Sequence, residues 1–485
     1  VFAAALTFAT PRTLDPTTPA ELTLWGLHGI GALDPSLDAG VQAGRLVLLD
    51  QSKMPPKILA TLPVPPPGDA HGWGDSAARL EAAAFDHSPM LQGEGQQALL
   101  QSFFDEMFNH LDPYSRYVPP VPAEAERDRL SVDAGAGLGF VRRGRGIAVS
   151  DLVPGGPGEA AGLRIGDRIL AVGGRRVRGD DPDDVRALLS GPEGTEIPLT
   201  VRGLDGRVRK IPVTLEAIPP ETVFSSQDGR ITVIRMTAFT SNTAERLSQA
   251  IEAGLSAKPA PGGSAGAGII VDLRGNRGGL LRQAVTSVAL FADHGVIAST
   301  QGRDPEASHD WRIEGGDLTH GLPVVLLVDG RTASAAEIMA AALADLGRGV
   351  VVGSATLGKG LVQTITRLPD GGELFVTWSR VLAPLGWPLQ SLGVFPQVCT
   401  SRGEAETARE LDDLAAGHQD LAAPLAASRA ARPPLPVAQA IEIRANCPAA
   451  EGRDEDMLAA KFLIDHPDAY RTALIQAPKP LATGN

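Results

Sequence analysis

Cysteine is almost missing from this chain. Of 485 residues only Cys399 and Cys447 carry sulfur thiols, too few for a zinc finger, an iron–sulfur site or a multi-bridge disulfide framework. No His/Cys/Asp cluster has metal-ligand spacing, so neither a metal nor an organic cofactor is expected. No apolar run approaches the roughly 18 residues of a membrane span, so the chain is not expected to cross one. Basic charge is in deficit, with 44 Lys and Arg against 57 Asp and Glu and a net charge of −13. That balance disfavours nucleic acid and anionic membrane as main partners. An initiating Met is missing too. The chain starts at Val1, and VFAAALTFA has no basic flank and is too short for a whole signal peptide. Either a processed or a trimmed form fits. A removed signal would place the protein in the periplasm or otherwise outside the cytoplasm.

What is present describes a globular protein: 43% apolar and 21% charged residues. The length calls for two to four domains. Residues 1–68 read as a helical region with a short hairpin, RLVLLD and KILATL, across Lys53 to Pro56, closed by the stiff LPVPPPGD stretch. Residues 69–129 are helical again. A faint echo links GLHGIGALDPS (Gly26 to Ser36) with FDEMFNHLDPYS (Phe104 to Ser115), too short to establish a repeat. Short strands and glycine turns follow over 130–217. Buried strands then alternate with helices over 218–400, as parallel βαβ units do. Residues 401–485 read as an Ala-rich helical extension.

In the 130–217 stretch, Gly137-Leu138-Gly139-Phe140 precedes a strand and then AAGLRIGDRILAVGG. Glycines allow successive N–H groups to face one concavity, and the neighbouring strand offers an edge for an added peptide strand. Asp181 and Pro182 cap and start a helix, Val185–Leu189, as the other wall. The stretch resembles a PDZ domain, and the resemblance implies that the N–H groups of Leu138, Gly139 and Phe140 hold a peptide's terminal carboxylate. A small barrel whose glycines only make turns is the plainer reading. Arg142, Arg143 and Arg145 raise the local potential or form an ordinary solvated face.

Three loops follow three expected strands: Arg274–Gly279 (RGNRGG), Gly330–Ser334 (GRTAS) and Gly353–Gly360 (GSATLGKG). Right-handed crossovers bring such loops to one sheet edge, where open α/β folds bind ligands. Ser334 precedes the helix Ala335–Leu346, whose N-terminal dipole favours an oxyanion. A serine needs a base, and the nine histidines fall in no triad context. Lys359, between two glycines, is the better base, since burial favours neutral lysine. Taken singly, Ser334 is as well read as a helix cap and Lys359 as a surface lysine.

Together these segments carry a second resemblance. IIVDLRGNRGGLL, VDGRTASAAEIMAAALADLGRGVVVG and TLGKGLVQTITRLPDGGELFVTWSR, with LDPYSRYVPP and PLGWPLQSLGVFPQV, are similar to the carboxyl-terminal processing serine peptidases from about Leu99 to Val398. The resemblance implies a multidomain α/β protein: a ClpP/crotonase-like α+β protease core with an inserted PDZ domain and helical ends. It implies Ser334 as nucleophile and Lys359, 25 residues on, as base. Gln363 would orient the lysine, and Asp345 would support the site. Gly278 or Gly279, with the N–H of Ala335, would form the oxyanion hole. The flanking serines of the family motif are Thr332 and Ala336 here. Arg277, in the oxyanion loop, stands where proline is usual and Gln397 where aspartate is, neither at a catalytic position of the family.

The function expected is therefore a serine endopeptidase that binds protein C-termini and cleaves with a Ser/Lys dyad. The rival readings are a non-catalytic PDZ scaffold on a degenerate hydrolase core and a crotonase-like acyl-CoA enzyme, which gives no reason for the PDZ module. Partners are protein or peptide substrates with free C-termini. For the helical ends, homo-oligomerisation is what the resemblance suggests and simple covering of the core is the alternative. Cys399 and Cys447 are expected to pair and tie the tail to the core, two separate buried thiols being the other reading.

Overall fold

The computed structural model of the chain describes residues 1–123, 134–144, 146–153, 156–177, 182–216, 220–256 and 268–474. Asp181 and Arg145 lie outside the described residues, as do 130–133 and 217 at the ends of the expected PDZ segment. The chain forms two compact units, one of residues 1–123 with 221–485 and one of 124–220.

The larger unit is built on a six-stranded sheet. Its order is Val223–Asp228, Ile231–Met236, Gly268–Asp272, Val324–Val328, Val350–Gly353 and Val398–Cys399. The first pair is antiparallel and all later pairs are parallel. Every residue of Gly268–Asp272 and Val324–Val328 is buried, as expected of parallel strands covered on both faces, and their unbroken apolar runs reflect it. The helix Ala335–Asp345 is buried along its whole length. Six alanines among its eleven residues allow close packing on all sides without side-chain entropy loss.

A second, antiparallel sheet runs His309–Glu314, His294–Gly302, Glu373–Leu382 and Leu361–Arg367, with Arg116–Val118 added on Glu373–Leu382. That last strand breaks the uniformly helical reading of 69–129. The N-terminal reading also needs correction. Helices end at Leu33, and the expected hairpin is the second half of a three-stranded meander, Leu37–Gln42, Arg45–Asp50 and Lys57–Pro63. The first of these strands buries only Leu37 and Ala39, too short an alternation to stand out in the sequence.

The tail packs on the core. Cys399 and Cys447 form a disulfide, with Cα atoms 5.8 Å apart. Beyond it the Ala450 carbonyl accepts from Gly330 N–H (2.7 Å) and Ser354 Oγ (3.0 Å), and Arg274 Nη1 donates to the Arg453 carbonyl (2.7 Å). The tail is thereby stitched to the ends of three parallel strands.

The smaller unit is a sheet in the order Val208–Thr214, Glu196–Arg202, Arg168–Val172, Gly146–Leu152 and Leu138–Arg143, around its own apolar core. Leu138–Arg143 ends that order, and the helix Pro182–Ala187 packs beside it. This helix starts at Pro182 as read, and stops two residues short of Leu189.

Candidate active site

The three loops do leave neighbouring parallel strands, since Asp272 pairs with Leu327 and Val328 with Gly353 in register. Side chains then lock them together. Thr332 Oγ1 donates to the Leu273 carbonyl (2.9 Å), and Asp329 Oδ1 accepts the N–H groups of Gly275 (2.9 Å), Arg331 (3.0 Å) and Thr332 (2.9 Å). Asn276, fully buried, sends Nδ2 to the Met236 carbonyl (2.9 Å) while its own carbonyl accepts Ala333 N–H (2.9 Å). Leu357 N–H reaches the Thr332 carbonyl (3.0 Å), joining the third loop to the second.

Ser334 sits at the start of the helix Ala335–Asp345 with φ of +57°, a region few non-glycine residues enter. Such strain persists only where surroundings enforce it. Glu337, one turn on and fully buried, supplies that enforcement. Its Oε2 accepts the N–H of Ser334 (2.8 Å) and of Lys359 (2.9 Å). Its Oε1 accepts Thr356 Oγ1 (2.5 Å) and Gly358 N–H (2.7 Å). Burial pushes the Glu337 carboxyl above its ordinary value, and these donors pull it back. Glu337 is a site residue that the sequence reading passed over. Its signal was present as Ser334-x-x-Glu337, the spacing of a capping box.

The expected oxyanion glycines differ. A Cβ on Gly278 would stand 2.8 Å from Ala335 N and 2.8 Å from Ser334 Cβ, so only glycine fits that approach. Yet the Gly278 N–H is taken by Asn276 Oδ1 at 2.8 Å, which removes it as an oxyanion donor. The N–H groups of Gly279 and Ala335 have no partner among the described residues.

Lys359 and Ser334 are both half-buried, and no hydrogen bond joins their side chains among the described residues. Lys359 Nζ lies 5.3 Å from the centroid of the Tyr114 ring. Gln363 is not bonded to Lys359. Its Nε2 donates to Thr377 Oγ1 (3.1 Å), which donates to Asp112 Oδ1 (2.6 Å), and that same oxygen accepts Tyr114 N–H (2.9 Å). The LDPYSRY segment thus links the strand of Gln363 to the ring beside Lys359. Burial pushes the Tyr114 hydroxyl up. Asp345, at the far end of the helix, accepts from Trp387 Nε1 (2.7 Å) and pairs with Arg429 (3.2 Å). Among the histidines, His87 faces Asp50 and His110 stacks on Trp25. Among the described residues there is no cluster of metal-ligating side chains and no helix long and apolar enough to cross a membrane.

Comparison with known proteins places the chain in a class. The model of "Peptidase family S41" matches residues 230–400 and that of "PDZ domain" matches 149–203. The carboxy-terminal-processing protease of Bartonella bacilliformis is 32% identical over 62% of this chain and 69% of its own length. The carboxy-terminal processing protease CtpA of Bacillus subtilis is 34% identical over 59% of this chain and 60% of its own. A solved structure titled photosystem II D1 C-terminal processing protease has 25% identity and a TM-score of 0.39 over 80% of this chain and 97% of that one. The chain is a serine-type peptidase carrying a PDZ domain. It belongs to Peptidase family S41, among the carboxy-terminal-processing proteases.

Proposed function

We propose that this peptidase takes protein substrates by their C-termini and cleaves them with Ser334 as nucleophile and Lys359 as base. The observation that carries the reading is the shared Glu337 carboxylate, which fixes the backbones of both residues although 25 positions separate them. Ser334 Oγ attacks the scissile carbonyl carbon while its proton passes to the neutral Lys359 amine. The carbonyl π pair moves to oxygen, where the N–H groups of Gly279 and Ala335 stabilise the charge. Collapse breaks the C–N bond, and Lys359 returns the proton to the leaving amine. Water then attacks the acyl-Ser334 ester as its proton passes to Lys359; collapse breaks the ester C–Oγ bond, Lys359 returns the proton to Ser334 Oγ, and the new C-terminus is freed.

Gln363 acts at one remove, through Thr377 and Asp112, in holding the strand and ring beside Lys359. Asp345 anchors the far end of the helix that Ser334 begins. In the smaller unit, Leu138–Arg143 at the sheet end, with Gly139 tight against Asp151, would receive the substrate's last residues, with its carboxylate at the N–H groups of Leu138, Gly139 and Phe140. The disulfide supports an oxidising compartment, the periplasm or another extracytoplasmic space. A fluorescent casein assay on the wild type and Ser334→Ala tests the assignment. Abolished turnover with an unchanged melting temperature is expected, and retained turnover would remove Ser334 as the nucleophile.

A further inference from the structure

Among the described residues no ion pair engages the Lys359 amine, and the Tyr114 ring centroid lies 5.3 Å from Nζ, within cation–π range. The backbone around the lysine is pinned on three sides. Glu337 accepts the N–H groups of Gly358 and Lys359, Gln390 Oε1 accepts that of Gly360 (3.0 Å), and the Gly358 carbonyl accepts Ser391 N–H (3.0 Å). The ring is pinned as well. Asp112 Oδ1 accepts Tyr114 N–H (2.9 Å), Arg116 Nη1 donates to the Tyr114 carbonyl (3.1 Å), and the Tyr114 hydroxyl is hydrogen-bonded to the Gln390 side chain. Gln390 therefore joins the lysine loop to the ring. Such a ring suits a base that must change charge. Before attack the amine is neutral, and as the Ser334 proton arrives a positive charge grows on Nζ. A π face attracts that cation and is nearly indifferent to the neutral amine, so the contact strengthens on the way to the transition state. A carboxylate in the same place would hold the lysine protonated beforehand and slow the attack.

We propose that Tyr114, held by Gln390, is a positioning residue for the reaction, its ring face stabilising the ammonium that Lys359 becomes. The role rests on the reading of Lys359 as base. Charged groups on the elements packed around the pair are Glu337, Asp112, Arg116, Arg380 opposite Leu361 in the next strand, and Arg444, which interacts with Glu337. Asp112 and the arginines hold one charge state across the range in which a lysine titrates, and the four donors on Glu337 do not involve the ring.

The test is the pH profile of kcat on fluorescent casein for four full-length proteins: wild type, Tyr114→Phe, Tyr114→Leu and one carrying 3,4,5-trifluorophenylalanine at position 114. Fluorination empties the π face while keeping the ring's shape, so that protein decides the matter even if Tyr114→Leu does not fold. Tyr114→Phe keeps the ring and should keep the wild-type rising limb. Tyr114→Leu and the fluorinated protein should reach half-maximal kcat about half a pH unit lower, with a plateau about threefold lower. A purely structural role would lower the plateau and leave the limb in place. A limb unmoved by loss of the π face, or moved equally in Tyr114→Phe, would overturn the role of the ring and leave the dyad standing. Turnover retained by Lys359→Ala would overturn the dyad and this role with it.

Discussion

Ser334 and Lys359 donate their backbone N–H groups to one oxygen, Oε2 of Glu337, at 2.8 and 2.9 Å. A single buried carboxylate therefore sets the start of one helix and the path of a glycine loop. Glu337→Gln presents an NH2 group to one of the two donor pairs and leaves N–H facing N–H. The expected outcome is a loss of about 1–3 kcal/mol in stability and at least about tenfold in kcat. Urea unfolding and casein turnover on the same preparation check both, and an unchanged kcat would detach Glu337 from catalysis.

Lys359→Arg keeps the positive charge but cannot give up a proton at working pH. Its turnover should fall to that of Lys359→Ala. Residual activity clearly above that of the alanine variant would rule out lysine as the base and return attention to the histidines. Gln363→Ala should only impair turnover, because this side chain is bonded to Thr377 and exchanges no proton.

Peptide capture by the smaller unit should depend on a free terminal carboxylate. Full-length Ser334→Ala protein should bind a peptide ending in an apolar residue more tightly than its C-terminal amide, measured by fluorescence anisotropy. Equal affinity would remove Leu138, Gly139 and Phe140 as a carboxylate cradle.

The disulfide closes a loop with a sequence separation of 48 residues. On the chain-entropy model its loss destabilises by about 4 kcal/mol. The Cys399→Ser, Cys447→Ser double variant should show that difference in denaturant unfolding. Thiol titration of the denatured, unreduced protein should find no free thiol.

Glu410 gives a pH signature. It accepts Arg402 Nη2 (2.7 Å) and Cys399 N–H (3.3 Å), but burial prevails and pushes its carboxyl up to about 7. A folded-state value above the unfolded one means that stability is greatest below about pH 4.5 for this group and is lost as pH rises to about 7, by about 3 kcal/mol at most. Glu410→Gln should flatten the pH dependence of the urea midpoint across that interval. An unchanged slope would show that Glu410 titrates near its ordinary value.

The sequence by itself determined which residues enter the three loops, because buried parallel strands leave unbroken apolar runs and their crossovers have one hand. Val324–Val328 was legible to the residue for that reason. The strands Leu37–Gln42 and Arg116–Val118 were not: the first buries only Leu37 and Ala39 before its alternation fades, and the second is three residues long and paired with Glu373–Phe375, distant in the chain. The motif spacing singled out Ser334 and Lys359, and the paired cysteines were expected. Tertiary structure decided the finer points. Whether an N–H is free depends on what lies opposite it: Asn276 takes that of Gly278, while those of Gly279 and Ala335 stay open among the described residues. Whether Gln363 reaches Lys359 depends on strand register, which brings it to Thr377. Local pattern fixes the period of an element, and only packing fixes which polar groups meet.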